Sequence, residues 1–175
     1  LLAHDEATPE ERARFRALGA RSCEFPLNAE TAAAARAGGE DVILGAPNVV
    51  RGGSHNKAMD AREAVEAGHC TVLTSDYHYP SPLHAAFALA DGDVDALAHY
   101  WPLVSGNAAR AAGLEDRGSL TNGKRADLIL VDMTDIRHPE IVATMVGGRI
   151  VYARRALEEL PSAASVAAAP EMAAG

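Results

Sequence analysis

Side chains able to bind a divalent metal ion directly follow short apolar runs in this sequence. His4 ends the run that opens the chain, and Asp76 comes two residues after the run that ends at Thr74. Neutral imidazole and carboxylate are common ligands of Zn²⁺ and related ions. Each residue also has a plainer explanation, with His4 as a surface histidine and Asp76 as the cap of a helix that starts near Ser81. Neither residue decides between these explanations by itself.

A further carboxylate, Glu24, lies inside the apolar run of residues 21–25. Burying a carboxylate costs free energy unless the group is paired or metal-bound. An ion pair and a metal ligand therefore remain equally open for Glu24.

Residues 46–56 are predicted to form a long loop that could bind an anion. Its glycines would let backbone N–H groups converge on an anion, and Arg51 could hold phosphate oxygens with two parallel hydrogen bonds. His55 could bind a metal ion, donate a proton or bind phosphate. The candidate residues are Asn48, Arg51, Gly52, Gly53, Ser54 and His55. A loop of this length is more often functional than not, although a plain surface loop is the alternative.

The elements that must position these residues alternate between short strands and helices. The predicted strands cover residues 1–4, 21–25, 41–45 and 70–74, and a first helix starts at Pro9 after a Thr8 cap, with Phe15 and Leu18 on its apolar side. Continuously apolar strands of this kind are buried in a parallel sheet. The carboxyl ends of parallel strands commonly build the functional site, which is where the polar residues stand.

The second half of the chain has a different pattern. Helices are predicted over residues 83–90, 94–104 and 107–112, with Pro102 interrupting the second of them. A strand over residues 127–132 and a hairpin that turns at Gly147-Gly148 follow. We therefore divide the chain into an α/β part (1–115), a β part (116–154) and an Ala- and Ser-rich tail (155–175) that we expect to be disordered.

Composition excludes several classes of partner. The 175 residues carry a formal net charge of −8, which argues against a nucleic-acid surface, and no apolar run is long enough to cross a bilayer. The two cysteines, Cys23 and Cys70, are expected to be buried free thiols, and this favours a cytoplasmic protein. Because the chain begins inside an apolar run without Met, we expect it to be part of a longer protein.

Three strings of residues resemble the end of an amidohydrolase-superfamily enzyme. They are Thr74-Ser75-Asp76-Tyr77, Asn107-Ala108-Ala109-Arg110-Ala111-Ala112-Gly113-Leu114 and Gly123-Lys124-Arg125-Ala126-Asp127-Leu128-Ile129-Leu130-Val131. The resemblance implies an α/β fold, consisting of strands five to eight of a metal-dependent (β/α)₈ barrel followed by part of a small β-sandwich. It also implies that Asp76 is both metal ligand and proton acceptor, and that His4 is the strand-five ligand. Glu24 stands where the superfamily commonly has a histidine, and we expect it to replace that ligand to Zn²⁺ or Mn²⁺, bound as one or two ions.

The string Gly45-Ala46-Pro47-Asn48-Val49-Val50-Arg51-Gly52-Gly53-Ser54-His55 narrows the resemblance to a branch that acts in phosphonate breakdown. This branch hydrolyses the triphosphate of a ribose phosphonate and releases pyrophosphate. The resemblance implies catalytic roles for Asp76 and His55, and a small phosphorylated substrate held by Asn48, Arg51, Gly52, Gly53, Ser54 and His55. One alternative is a C–N hydrolase of the same superfamily.

A second alternative is a non-catalytic remnant. Four strands cannot close a barrel, so we expect the chain alone to be inactive. Its open strand edges make self-association possible.

Overall fold

The computed structural model of the chain describes residues 1–53 and 59–154. The expected roles of Ser54 and His55, and the expected disorder of the tail, lie outside the described residues. In the first half, strands and helices alternate. The elements are β1 (Leu2–His4), α1 (Pro9–Ala17), β2 (Ser22–Glu24), α2 (Ala29–Ala37), β3 (Asp41–Gly45), α3 (Ala46–Arg51), α4 (Ala61–Glu66) and β4 (Val72–Thr74).

These four strands form one parallel sheet in the order β1-β2-β3-β4. Each predicted apolar run contains one of them. Strand pairing places His4 beside Glu24, and Glu24 beside Ile43. Because all four strands run the same way, their carboxyl ends lie on one edge of the sheet. The predicted α/β class is therefore confirmed, whereas closure into half of a barrel remains a prediction.

One face of the sheet packs against the helices and forms the core. Cys23, Val42, Leu44 and Leu73 point to this face and are buried with small side chains from the helices. Alternation along a strand then directs the neighbouring residues, among them Glu24, to the opposite face. Fully burying a Val or Leu side chain contributes about 1.5–3 kcal/mol, so this core fixes which side chains reach the other face.

The second half contains further helices and an antiparallel sheet. Its elements are α5 (Ser81–Ala90), α6 (Val94–Tyr100), a 3₁₀ helix (Trp101–Val104), α7 (Gly106–Ala111), β5 (Leu128–Asp132), β6 (Glu140–Val146) and β7 (Arg149–Ala153). Pro102 shortens the predicted second helix, because proline has no N–H for a helical hydrogen bond and its ring clashes with the carbonyl four residues before it. The hairpin turns at Gly147 and Gly148, both with positive φ. Among the described residues, no helix is long and apolar enough to cross a membrane.

Two expectations were wrong. The stretch predicted as a loop begins with helix α3, because Pro47 suits the first helical turn and Gly52 ends the helix with a left-handed φ of 77°. Leu18, which caps the end of α1, is 66% exposed, and the buried side chain of the helix is Arg12. Arg12 can be buried because two carboxylates, from Glu6 and Glu40, neutralise its charge there.

Candidate active site

His4 stands at the carboxyl end of β1 with both ring nitrogens facing carboxylates. Its Nδ1 is 2.7 Å from Asp5 Oδ2, and its Nε2 is 3.8 Å from Glu24 Oε2. The ring of Phe25 packs against the imidazole in a T-shaped arrangement, with ring centroids 5.2 Å apart. With 49% of its side chain exposed, His4 is open to a ligand on this edge of the sheet.

Among the described residues, Glu24 forms an ion pair only with His4. No arginine or lysine in residues 1–53 and 59–154 neutralises its carboxylate. The carboxylate is largely enclosed, with 23% of its side chain exposed. The ion-pair explanation for Glu24 therefore lacks a permanent cation, which favours the ligand explanation.

Asp76 lies over the end of β3, in a cavity of about 230 Å³. A Cβ atom on Gly45 would lie 3.8 Å from Asp76 Oδ2 and 3.5 Å from Phe25 Cε1. Phe25 therefore contacts His4 on one side and borders the Asp76 cavity on the other. The helix-cap explanation for Asp76 does not hold, since helix α5 has Pro80 at its cap position and no side-chain cap.

Arg51, the last residue of α3, lines the same cavity. Its guanidinium carbon is 5.6 Å from the centre of the Tyr77 ring. No carboxylate among residues 1–53 and 59–154 forms an ion pair with it. The ring holds the guanidinium beside the cavity without neutralising its charge, so the group can bind an anion.

Three other residues of the expected anion site already have structural hydrogen bonds. The Asn48 side-chain oxygen accepts a bond from the Ala61 N–H at 3.1 Å, at the start of α4. The N–H groups of Gly52 and Gly53 each donate to a carbonyl of α3 at 3.2 Å. These two N–H groups cap the end of helix α3. They are therefore not free to converge on an anion, contrary to the expectation from the sequence.

Strained backbone marks the same edge of the sheet. Asp5, Phe25 and Asp76 have φ values of 60°, 51° and 49°. Asp5 and Phe25 each follow the last residue of a strand, and Asp76 comes two residues after β4. Non-glycine residues seldom adopt this conformation, and such residues cluster at functional sites.

The donors around His4 fit two ligands of a divalent ion. Two ligands at about 2.1 Å from Zn²⁺ are roughly 3.4 Å apart at the tetrahedral angle, close to the separation of His4 Nε2 and Glu24 Oε2. The part of the chain that the structure describes contains no group of three or more His, Cys, Asp or Glu placed to hold an ion. Asp76 as a third ligand therefore stays a prediction.

Sequence reasoning missed three residues of this region: Asp5, Phe25 and Tyr77. Asp5 is adjacent to a candidate ligand, and a carboxylate beside a ligating histidine is a recurrent arrangement that could have drawn attention to it. The aromatic rings gave no such signal, because their roles depend on contacts that only the fold creates.

A buried charged cluster lies behind the site. The Arg12 guanidinium donates to Glu6 Oε1 at 2.6 Å and to the carbonyls of Ala20 and Ser22, each at 3.2 Å. The Cys23 thiol donates to Glu6 Oε2 at 2.7 Å. Burial, and then the contact with Glu6, raises the pKa of Cys23 to about 12, so the thiol stays protonated at neutral pH. Both cysteines are free and buried, as expected.

Comparison with known sequences identifies the class of protein to which this fold and site belong. A model described as the amidohydrolase family matches residues 1–152. The chain belongs to the amidohydrolase family.

One relative is the alpha-D-ribose 1-methylphosphonate 5-triphosphate diphosphatase of Escherichia coli (strain K12), which is 43% identical to this chain over 137 residues. That match covers 77% of this chain and 36% of the relative, so the chain spans about a third of its length.

Two solved structures resemble the fold. An uncharacterized protein has a TM-score of 0.62 at 16% identity, and the match covers 87% of this chain and 45% of the other. N-isopropylammelide isopropylaminohydrolase from Burkholderia multivorans ATCC 17616 has a TM-score of 0.57 at 22% identity, covering 86% and 46%. At these identities the likeness shows a shared fold.

Proposed function

We propose that the chain is part of a metal-dependent hydrolase that acts on the triphosphate of a ribose 1-methylphosphonate and releases pyrophosphate. The observation that carries the proposal is the Arg51 guanidinium, which lies beside the Asp76 cavity and has no carboxylate partner among the described residues. The similarity to the diphosphatase supports the same substrate class. On this proposal the four parallel strands are strands five to eight of a barrel, and the antiparallel sheet is part of a β-sandwich.

Arg51 would hold the phosphate groups. A guanidinium binds phosphate oxygens through two parallel charge-assisted hydrogen bonds, and Tyr77 restricts where it can point. The cavity walls from Phe25, Pro47 and Leu44 are apolar and would exclude water around those bonds. Phosphate oxygens in this position would face the carboxyl edge of the sheet.

Asp76 would accept the proton of the attacking water. Its carboxylate is exposed and reaches the same cavity, so it can meet a water molecule beside a bound phosphate. Attack by this water breaks the bond between the α- and β-phosphates. The products are pyrophosphate and the 5-monophosphate of the ribose 1-methylphosphonate, and the proton passes to Asp76.

His4 and Glu24 would hold a divalent ion, whose charge would offset negative charge that develops on the phosphoryl oxygens. The ion is expected to be Zn²⁺ or Mn²⁺. Phe25 would keep the imidazole from turning away, since the two rings pack in a T-shaped arrangement.

The test is pyrophosphate release from the ribose phosphonate triphosphate by the full-length protein. Asp76→Asn should lower kcat by about 10²- to 10⁴-fold, the usual contribution of a general base. Arg51→Ala should raise KM by about 10- to 100-fold, because a hydrogen bond to a charged group contributes about 1.5–3 kcal/mol.

Matched controls are available in the chain. Asp91 has a left-handed φ of 47°, like Asp76, but ends helix α5, so Asp91→Asn should leave kcat unchanged. Arg14 is an exposed arginine of α1 that does not line the cavity, so Arg14→Ala should leave KM unchanged. Undiminished turnover after Asp76→Asn would show that Asp76 is not the proton acceptor.

A C–N hydrolase of the same family is the second candidate. It is favoured by the fold shared with the isopropylaminohydrolase. Such an enzyme needs no phosphate-binding cation, so Arg51→Ala would leave its KM unchanged. Turnover of cyclic amide or amino-substituted ring substrates without pyrophosphate release from the triphosphate would decide for this candidate.

A further inference from the structure

The carboxylate of Asp5 lies 2.7 Å from Nδ1 of His4, on the side of the ring opposite Glu24. We propose that Asp5 is a positioning residue that fixes the tautomer and the orientation of the His4 imidazole, so that the unprotonated Nε2 faces Glu24 and a shared divalent cation. The inference rests on the proposed function only through that cation. Asp5 also lines the cavity of Asp76 and Arg51, and the role assigned to it here acts through His4.

The contact at Nδ1 decides which ring nitrogen carries the proton. A carboxylate oxygen 2.7 Å away attracts a proton on Nδ1 and would repel a lone pair there, so the contact favours the tautomer that carries its proton on Nδ1. In the neutral ring, Nε2 is then left with a free lone pair. The 3.8 Å between Nε2 and Glu24 Oε2 is too long for a hydrogen bond, which leaves that lone pair available for a cation.

The backbone holds the Asp5 carboxylate beside His4. In an extended strand, adjacent side chains point to opposite faces, so Asp5 would ordinarily point away from His4. Its φ of 60° turns the chain at this residue, and its N–H still donates to the Glu24 carbonyl at 3.0 Å. The turn brings two consecutive side chains together at the edge of the sheet.

The next residue anchors this turn in the core. The Glu6 carboxylate is fully buried and accepts hydrogen bonds from both Arg12 and Cys23. The Glu6 carbonyl also accepts from the Leu27 N–H at 3.0 Å. With Asp5 tied to β2 on one side and Glu6 fixed on the other, the carboxylate has little freedom to leave His4.

The experiment uses ring-nitrogen NMR of the ¹⁵N-histidine-labelled full chain at pH 8, together with calorimetric titration with Zn²⁺ alone. Asp5→Gly removes the acceptor while tolerating the positive φ. It should abolish the Nδ1–H preference of His4 and weaken Zn²⁺ binding by about 10- to 100-fold, the usual effect of losing such a partner. Asp5→Asn keeps an acceptor oxygen and tolerates the same φ, so it should retain the tautomer and lose less than about tenfold in affinity.

Asp135 provides the matched control, since its Oδ2 lies 2.8 Å from Nδ1 of His138 in an exposed pair. Asp135→Gly should change the His138 signal and leave Zn²⁺ affinity unaltered. The proposal is overturned if Asp5→Gly preserves the His4 tautomer, or if it binds Zn²⁺ within twofold of the unaltered chain. Failure of the unaltered chain to bind Zn²⁺ would contradict the proposed metal site and overturn the link between Asp5 and a cation, whereas loss of pyrophosphate release alone would bear only on the proposed function.

Discussion

Replacing Arg12 by Met should destabilise the fold strongly. Arg12 has no exposed surface and lies between two enclosed carboxylates, Glu6 at 2.6 Å and Glu40 at 3.1 Å. Met has a similar length and no charge, so Arg12→Met keeps much of the packing and removes the cation. The Glu6 carboxylate would then be buried without a counter-charge, and Glu40 would keep only the partly exposed Arg16 as its cation.

The magnitude follows from what is left unpaired. Removing one partner of a buried ion pair costs about 3–5 kcal/mol, because the remaining charge stays in a poorly polarisable environment. The carbonyls of Ala20 and Ser22 also lose a donor. We therefore expect the free energy of unfolding to fall by at least about 3 kcal/mol. A second substitution, Glu6→Gln, should recover about 1 kcal/mol or more by removing the unpaired Glu6 charge.

Urea denaturation followed by circular dichroism measures this loss by linear extrapolation. Arg16 is the matched control, because it contacts the same Glu40 oxygen at 2.8 Å from a side chain that is 40% exposed. Arg16→Met should cost no more than about 1 kcal/mol, since solvent screens an exposed pair. Equal losses for the two substitutions would refute the argument that burial makes Arg12 important. Should Arg12→Met fail to fold, Arg12→Lys tests the same point, because it keeps the charge and should be destabilised less.

Two further predictions concern stability. Burial raises the pKa of both Cys23 and Cys70 from 9.0 to about 12. Between these two pH values the thiols ionise in the unfolded chain and stay protonated in the folded one. The free energy of unfolding should therefore be unaffected by the thiols below about pH 9 and fall by about 1.4 kcal/mol per pH unit for each thiol from there to pH 12. Urea denaturation at pH 8 and pH 10 should show this loss, and Cys70→Ala should remove about half of it. If the free energy of unfolding of Cys70→Ala fell with pH as steeply as that of the unaltered chain, the loss would not come from the Cys70 thiol. Arg110 contacts both oxygens of Asp41 at 3.0 Å, so Arg110→Lys, which loses the two-pronged contact, should cost about 1 kcal/mol by the same assay. A cost that does not decrease in 1 M salt would argue against an ionic origin.

The strands could be predicted because their signal is local. Each is a short apolar run followed by polar residues, and all four runs contain a strand of the sheet. Helix α1 was equally readable, since Thr8 caps its start and Pro9 opens its first turn. Burial of Arg12 could not be read in the same way. It depends on Glu6 and on Glu40, and Glu40 is distant along the sequence and meets Arg12 only in the folded chain.

The candidate site was predictable in outline and not in detail. Parallel strands bring carboxyl ends together, so a common edge for His4, Glu24 and Asp76 follows from the element pattern alone. The strand register sets His4 directly beside Glu24, and register depends on side-chain packing over the whole sheet. For residues 46–56, the glycines suggested a loop, although Pro47 and Gly52 are also ordinary signals for the start and end of a helix.

The left-handed residues at the strand ends connect the fold to the site. Asp5 and Phe25 continue the sheet by donating their N–H groups to the carbonyls of Glu24 and Ile43, at 3.0 and 2.9 Å. Each therefore keeps its ladder bond while the chain turns, and its side chain is redirected along the edge. Such a conformation costs about 1–2 kcal/mol for a residue with a Cβ, and neither position holds a glycine. The strained turns place the Asp5 carboxylate on His4 and the Phe25 ring between His4 and the cavity. A glycine at either position would relieve the strain, but it would supply neither the carboxylate nor the ring. The strain at this edge therefore follows from the presence of these two side chains.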